Sequence, residues 1–183
     1  MNKLIRFIPL ILFVALGIVL FRGLSLNPTA LPSALIGKPF PEFSLATVKN
    51  AQHTVTKADL KSGIKLVNVW GTWCPSCRVE HSYLLELAKS KRFTLYGLNY
   101  DDERDLAQQW LARLGDPYQF SVFDEQGKLS VNLGVYAAPE TFVVDDLGFV
   151  RKRFAGPLDA RVWRREFEPL IIQIENERKQ RSH

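Results

Sequence analysis

Two cysteines, Cys74 and Cys77, are the residues whose type and spacing most directly suggest chemistry. They are the only cysteines among the 183 residues of the chain, whereas a small secreted protein that relies on disulfides carries more of them, spaced further apart. Closing a loop of two intervening residues also removes little entropy from the unfolded chain, so a purely structural bridge would stabilise the protein little. The spacing therefore predicts a reactive pair.

The segments on either side of the cysteines predict how they react. The apolar run 65–70 is typical of a buried strand, and residues 77–90 have apolar side chains near helical spacing. Cys74 would then lie at a helix N-terminus, where unpaired N–H groups and the helix dipole favour a thiolate. We expect Cys74 to be the nucleophile. We expect Cys77, one turn further along and more buried, to resolve the mixed disulfide by attacking the Cys74 sulfur. Pro75 suits the first helical position, where a missing N–H does no harm.

A zinc site is the main alternative for the motif, because Cys-x-x-Cys is also half of a typical zinc-binding set. Zinc would need two further ligands, and the sequence has only three histidines, none of which is close to another: His53, His81 and His183. The pattern favours redox chemistry, with no metal and no cofactor other than the dithiol itself.

The first 26 residues have the layout of a membrane-targeting segment. Basic residues without an acid precede an unbroken apolar run, 7–21, which is closed by Arg22. A helix over 4–26 would reach the roughly 20 residues that a bilayer span requires, and no clear cleavage signal follows. We expect an uncleaved signal-anchor over 1–26 with a cytoplasmic N-terminus and a linker over 27–36. A removed signal peptide is the alternative, and either would place the cysteines in an oxidising compartment.

The remaining residues, 37–183, have the element order of an α/β domain. The prolines in 38–45 predict an extended first segment. The expected strands are 65–70, 93–99, 120–123, 141–144 and 149–154, and the expected helices are 77–90, 105–114 and 161–177. This order predicts a central sheet flanked by helices, with antiparallel additions to a parallel core.

Two motifs together resemble one protein family. Residues 69–77 read Val-Trp-Gly-Thr-Trp-Cys-Pro-Ser-Cys and resemble the active-site segment of thioredoxin-fold proteins. Residues 134–142 read Gly-Val-Tyr-Ala-Ala-Pro-Glu-Thr-Phe and narrow the resemblance to the DsbE/CcmG family of thiol:disulfide interchange proteins of cytochrome c maturation. The resemblance covers nearly the whole chain. It implies a thioredoxin-like fold, with a central mixed sheet flanked by helices and an N-terminal transmembrane anchor.

The resemblance also implies a substrate groove beside Cys74. In it, Ala138 and Pro139 would be joined by a cis peptide bond opposite the cysteines, where exposed backbone groups can pair with an extended substrate segment. The substrate-binding candidates are Trp73, Pro75, Tyr136, Ala138, Pro139 and Glu140. Ordinary packing stays open as the role of Tyr136, and a surface charge as the role of Glu140. Ala137 stands where the family usually has glycine, which leaves the backbone geometry of this loop open.

Glu80 is the third catalytic candidate, because it follows Cys77 by three residues and matches an acidic position of the family. A nearby carboxylate can tune the resolving thiol or accept its proton. The alternative is a solvated glutamate in the first helical turn. Asn68 adds weight to Glu80, since it occupies the place of a buried aspartate of thioredoxin and cannot act as a base.

The resemblance implies a direction of electron flow that the residues do not fix, because the reduction potential decides it. It implies a periplasmic, single-pass inner-membrane protein of bacteria that reduces apocytochrome c or a haem-lyase-associated thiol protein. A transmembrane thiol reductase would supply the electrons. The alternatives are a general periplasmic disulfide oxidoreductase and a non-enzymatic thiol protein that holds apocytochrome or a metal. A peroxidase is a further alternative, since residues 37–43 resemble the first segment of peroxiredoxins. The sequence has no patch of basic residues interleaved with aromatic residues, so it does not indicate a nucleic-acid partner.

Overall fold

The computed structural model describes residues 7–24, 35–60 and 62–181, with the side chains of 22–24 left out. Two compact units are distinguished, residues 1–31 and 32–183. In the first unit, helix α1 spans Ile8–Leu24 and its apolar side chains are exposed as far as Phe21. Across the described ranges, no helix is both long and apolar enough to cross a bilayer. Both ends of the predicted anchor, and most of the predicted linker, lie outside the described residues.

The second unit is built on a five-stranded sheet. Two short strands precede it and pair with each other as an antiparallel hairpin, β1 (Ser44–Ala46) and β2 (Thr54–Thr56), followed by a 3₁₀ turn at Lys57–Asp59. The strands of the main sheet are β3 (Ile64–Trp70), β4 (Phe93–Tyr100), β5 (Ser121–Asp124), β6 (Glu140–Val144) and β7 (Val150–Ala155). Their order is β5-β4-β3-β6-β7; the first three are parallel, whereas β6 and β7 are antiparallel additions. The predicted mixed sheet is confirmed.

The helices surround this sheet. They are α2 (Pro75–Leu87), α3 (Arg104–Leu114), α4 (Lys128–Leu133), α5 (Ala160–Val162) and α6 (Glu168–Arg181), with a π-helical segment, Trp163–Phe167, between the last two. The sequence patterns did not predict α4, β1 or β2, because each is too short to display a period. For α4 the Asp124 carboxylate supplies the start signal, since it accepts hydrogen bonds from the N–H groups of Leu129 and Ser130 at 3.3 and 2.8 Å.

The central strand β3 is buried along all seven residues, as expected for a parallel strand covered on both faces. Alternate residues point to opposite faces. Leu66 and Trp70 belong to one apolar cluster, whereas Val67 and Val69 belong to another. Asn68, between those two valines, therefore points toward the first cluster, which also contains both cysteines.

The strand order brings the two sequence motifs together. In the β3–β6 ladder, Val69 is paired with Glu140. Pro139, one residue before β6, consequently lies beside the end of β3, from which the chain continues through a short turn to Cys74. The fold thus places the predicted proline loop next to the predicted reactive cysteine, although the two are 65 positions apart in sequence.

Candidate active site

The two cysteines form a disulfide at the start of α2. Cys74 is the N-cap residue, and its Sγ accepts a hydrogen bond from the Cys77 N–H at 3.1 Å, while Pro75 occupies the first turn. This is the placement that the sequence predicts. The expectation that Cys77 is the more buried of the two is wrong for this oxidised form: each is 2% exposed. Because the disulfide ties them together, both sulfurs belong to the same apolar cluster.

Hydrogen bonds that the sequence did not predict hold the turn before Cys74. The Asp102 carboxylate accepts hydrogen bonds from the Thr72 N–H at 2.7 Å and from the Thr72 hydroxyl at 2.5 Å. Trp73 lies across this turn, with its indole N–H donating to the Tyr100 carbonyl at 3.2 Å and its side chain half exposed. A Cβ on Gly71 would lie 2.5 Å from the Trp73 ring, so any larger residue there would displace that ring.

Glu80 is buried, at 1% exposure, one helical turn after Cys77. Its Oε1 accepts a hydrogen bond from the Asn68 side-chain amide at 2.9 Å, and its Oε2 accepts one from the Leu158 N–H at 2.8 Å. Burial raises the pKa of Glu80 to about 7, and these two hydrogen bonds offset the effect only in part. The alternative of a solvated glutamate is therefore wrong. A carboxyl group with this pKa can both accept and release a proton near neutral pH.

Asn68 connects Glu80 to the rest of the sheet. Its amide nitrogen also donates to the Thr141 hydroxyl at 3.1 Å, and its amide oxygen accepts a hydrogen bond from the Tyr118 hydroxyl at 2.8 Å. Every polar atom of this buried amide thus has a partner, as a buried amide requires. The sequence indicated Asn68 but not Tyr118, which comes from a loop 50 residues away.

The loop before β6 contains a cis peptide bond between Ala138 and Pro139, as the resemblance implied. Pro139 is buried, whereas Ala138 is half buried and packs against the cluster that includes both cysteines. Tyr136 is 54% exposed. In the described ranges the only residue other than glycine with a positive φ is Asp101. Ala137 therefore adopts an ordinary backbone conformation, and the missing glycine does not strain this loop.

Glu140 is completely buried and pairs with Arg153, so the alternative of a surface charge is wrong. The Arg153 guanidinium donates two hydrogen bonds to the Glu140 carboxylate, at 2.7 and 2.9 Å. The N–H groups of Tyr136 and Ala137 donate to the same carboxylate, at 3.1 Å each. The guanidinium also lies 4.5 Å from the centre of the Tyr136 ring. Glu140 and Arg153 therefore fix the loop that carries the cis bond.

Comparison with known proteins agrees with this site. The Redoxin family matches residues 35–168. A thiol:disulfide interchange protein DsbE from Pseudomonas aeruginosa is 48% identical over 177 residues, covering 97% of this chain and 98% of the relative. The DsbE of Escherichia coli K12 is 46% identical over 176 residues, covering 93% and 95% of the two chains. This chain belongs to the DsbE family of thiol:disulfide interchange proteins.

The crystal structure of a DsbF homologue from Corynebacterium diphtheriae has the same fold, with a TM-score of 0.63 at 25% identity over 81% of this chain and 96% of the other. As a member of the DsbE family, the chain is a thiol–disulfide oxidoreductase with a thioredoxin-like fold, and both predictions are confirmed. The individual roles assigned to the site residues stay predictions. Within the described ranges, no group of three or more histidine, cysteine or acidic side chains is arranged to hold a metal ion.

An open cleft of about 490 Å³ borders the active-site turn of this DsbE-family chain. Trp73 and Leu106 supply its apolar lining, and it is otherwise lined by Thr72, Asp101, Asp102, Glu103 and Glu125. The acidic lining was not predicted, because its members come from a turn after β4 and from the loop after β5, and only the folded chain brings them to Trp73.

Proposed function

We propose that this chain is a periplasmic disulfide reductase of cytochrome c maturation, acting on apocytochrome c or on a haem-lyase-associated thiol protein. The observation that carries the proposal is the buried Glu80 carboxyl one helical turn beyond Cys77, together with the membership of the DsbE family. Reduction of a substrate requires Cys77 to lose a proton before it can attack, and Glu80 is a buried ionisable group one helical turn further along α2.

The reaction balances in two exchanges. The Cys74 thiolate attacks one sulfur of the substrate disulfide, so that a mixed disulfide forms and the other substrate sulfur leaves as a thiolate. The Cys77 thiol then gives up its proton and attacks the Cys74 sulfur, which releases the second substrate thiolate. Two electrons pass to the substrate, and the product is the Cys74–Cys77 disulfide seen in this structure.

Glu80 is proposed to accept the Cys77 proton in the second exchange. Residues three apart on a helix share a face, so the Glu80 side chain lies on the same side of α2 as Cys77. Its pKa of about 7 leaves a substantial ionised fraction at neutral pH. The carboxylate can then take up the proton as the Cys77 sulfur becomes nucleophilic, and release it later for the next cycle.

The substrate is proposed to dock between Trp73 and the loop of Tyr136, Ala138 and Pro139. Both aromatic side chains are half exposed. An extended segment of the substrate would pair with the backbone beside Pro139, in the manner of strand addition. Glu140 holds this loop from within and does not face the substrate in our proposal.

The cellular setting is part of the proposal. An uncleaved signal-anchor over residues 1–26 would hold the chain in the bacterial inner membrane as a single-pass protein, with the catalytic domain in the periplasm. A transmembrane thiol reductase would return electrons to the Cys74–Cys77 disulfide after each turnover. The apolar, exposed surface of α1 supports this setting, because water disfavours such a surface.

The test is the redox equilibrium of the cysteine pair in glutathione buffers, followed by trapping of the partner with Cys77→Ser. We expect a potential well below the roughly −120 mV of a dedicated oxidant, and a Cys74-linked mixed disulfide with apocytochrome c or a thiol protein of the same assembly. Cys74→Ser is the matched control and should trap nothing. A potential near that of an oxidant would overturn the reductase assignment. Vigorous reduction of insulin would instead favour a general periplasmic oxidoreductase.

A further inference from the structure

Tyr118 is a buried side chain that the mechanism above does not use. It comes from the loop between α3 and β5, and its ring stacks on Trp70 with 5.8 Å between centroids and 20° between planes. Trp70 is itself fixed, because its indole N–H donates to the Ser121 hydroxyl at 3.0 Å. Held in this way, the Tyr118 hydroxyl donates to the amide oxygen of Asn68 at 2.8 Å.

This contact decides which end of the Asn68 amide faces Glu80. An ionised carboxylate can only accept hydrogen bonds, so the amide must present its NH₂ group and not its oxygen. The Tyr118 hydroxyl occupies the oxygen and leaves the NH₂ group directed at Glu80 and Thr141. Burial raises the pKa of Tyr118 well above its ordinary value, so the phenol stays protonated and keeps its proton available for donation.

We propose that Tyr118 is a positioning residue for thiol–disulfide exchange, because it fixes the Asn68 amide with its NH₂ group toward the Glu80 carboxylate. Tyr118 acts through Asn68 in this proposal. The proposal rests on the proposed role of Glu80 as acceptor of the Cys77 proton, and it adds the group that sets the hydrogen bonding of that acceptor.

Glu80 receives hydrogen bonds from two other elements, from Asn68 of β3 and from the Leu158 N–H in the loop before α5. Asn68 in turn donates to Thr141 of β6, and Cys77 lies one turn earlier on the same helix as Glu80. The neighbouring His81 of that helix is engaged elsewhere, with its Nε2 2.9 Å from the Gly115 carbonyl. Beyond them, Asp116 accepts a hydrogen bond from the Tyr118 N–H at 2.9 Å and is paired with Lys49 at 2.7 Å.

The test compares Tyr118→Phe with Tyr96→Phe in the full chain. Tyr96 is also buried but belongs to the apolar cluster on the other face of the sheet. The probe is oxidised glutathione, with which Cys74 of the reduced protein forms a mixed disulfide. Attack by Cys77 then releases the second glutathione. The rate of this release is measured as a function of pH, and the pH of its inflection is compared between the variants. Without the Tyr118 hydroxyl, the Asn68 amide is no longer held with its NH₂ group toward the charged carboxylate, so the inflection should move upward by about one pH unit in Tyr118→Phe. Tyr96→Phe should leave it in place.

The Glu80→Gln background separates positioning from a general loss of structure. There the inflection should be absent, and Tyr118→Phe should change nothing further. An unchanged inflection in Tyr118→Phe, or a further change in the Glu80→Gln background, would overturn the proposal for Tyr118. If the parent protein itself has no inflection that depends on Glu80, the proposed role of Glu80 fails first and the role of Tyr118 with it.

A second variant and a second measurement cover a failure of Tyr118→Phe to fold. Asn68→Ala removes the same contact from its other end and should raise the inflection at least as far. The carbon-13 shift of the Glu80 carboxyl, titrated in the oxidised protein, should show the same upward displacement without any catalysis. A carboxyl titration that is identical in parent and variant would refute the positioning role.

Discussion

The active site contains two fully buried glutamates whose hydrogen-bond partners differ in charge. Glu80 receives hydrogen bonds from neutral groups, the Asn68 amide and the Leu158 N–H. Glu140 is bound by the guanidinium of Arg153 and by two backbone N–H groups. Neutral donors leave a buried carboxyl close to the balance between its two protonation states, whereas a cation compensates its charge outright. One glutamate is thereby suited to proton transfer and the other to holding a loop.

The largest effect should follow from removing the cation. Arg153→Met leaves Glu140 buried without its counter-charge, and breaking a buried pair in this way costs about 3–5 kcal/mol. Denaturant unfolding of the oxidised protein measures the loss. Lys152→Met is the matched control on the same strand, because Lys152 pairs with the more exposed Glu166 at 2.9 Å and such pairs are worth about 0–1 kcal/mol. Equal losses in the two variants would contradict the contrast between the glutamates.

The second prediction concerns pH and rests on Glu80. Its pKa is about 7 in the folded protein and near 4.5 when the chain is unfolded. Between these values the folded state binds more protons, so the free energy of unfolding falls as pH rises from about 4.5 to 7. The fall should amount to about 3 kcal/mol. It is measured on the oxidised form, in which the cysteines do not titrate, and Glu80→Gln should abolish it. A Glu80→Gln protein with the same pH dependence as the parent would refute the assignment.

The third prediction concerns catalysis. Glu80→Gln keeps the shape of the side chain but removes its ability to accept a proton. We expect the release of the second substrate thiolate to slow by about 100-fold at pH 7, in the range usual for general base catalysis. The formation of the first mixed disulfide should change little, because Cys74 does not depend on that base. Stopped-flow and acid-quench measurements separate the two steps. An equal loss in both would point to a disturbed active-site turn instead.

The contrast between the two glutamates also shows what the sequence could and could not predict. Spacing and the strand–helix order located Cys74, Cys77 and Glu80, since those residues lie on one continuous segment. The main strands and the long helices followed from periodicity. Burial of the glutamates could not be predicted, because it depends on partners brought from elsewhere by the sheet: Arg153 through the β6–β7 ladder, and Tyr118 through the loop before β5.

The hydrogen bonds between Asp102 and the active-site turn were likewise not predictable from the sequence. Asp102 lies in a run of charged residues that looks like an ordinary solvated surface in the sequence. Its carboxylate nevertheless holds Thr72 and also accepts a hydrogen bond from the Asn99 amide at 2.8 Å. A contact between a loop and a turn 30 residues away produces no periodic pattern in the sequence. It is seen only in the folded chain, where β3 and β4 pair in parallel.

The smallest effect should come from the aromatic ring that covers the ion pair. Tyr136→Leu removes the ring 4.5 Å from the Arg153 guanidinium, and a cation–π contact at such a site contributes about 0.5–1 kcal/mol. The free energy of unfolding should fall by that amount. The pH inflection of the exchange rate that is due to Glu80 should not move, because Glu80 and Glu140 share no hydrogen-bond partner among the described residues. As Tyr136 is also proposed to line the substrate groove, KM for the trapped partner should rise with little change in kcat. An unchanged KM would mean that Tyr136 does not line the substrate groove. Its ring would then act only by packing on Arg153, the partner of Glu140.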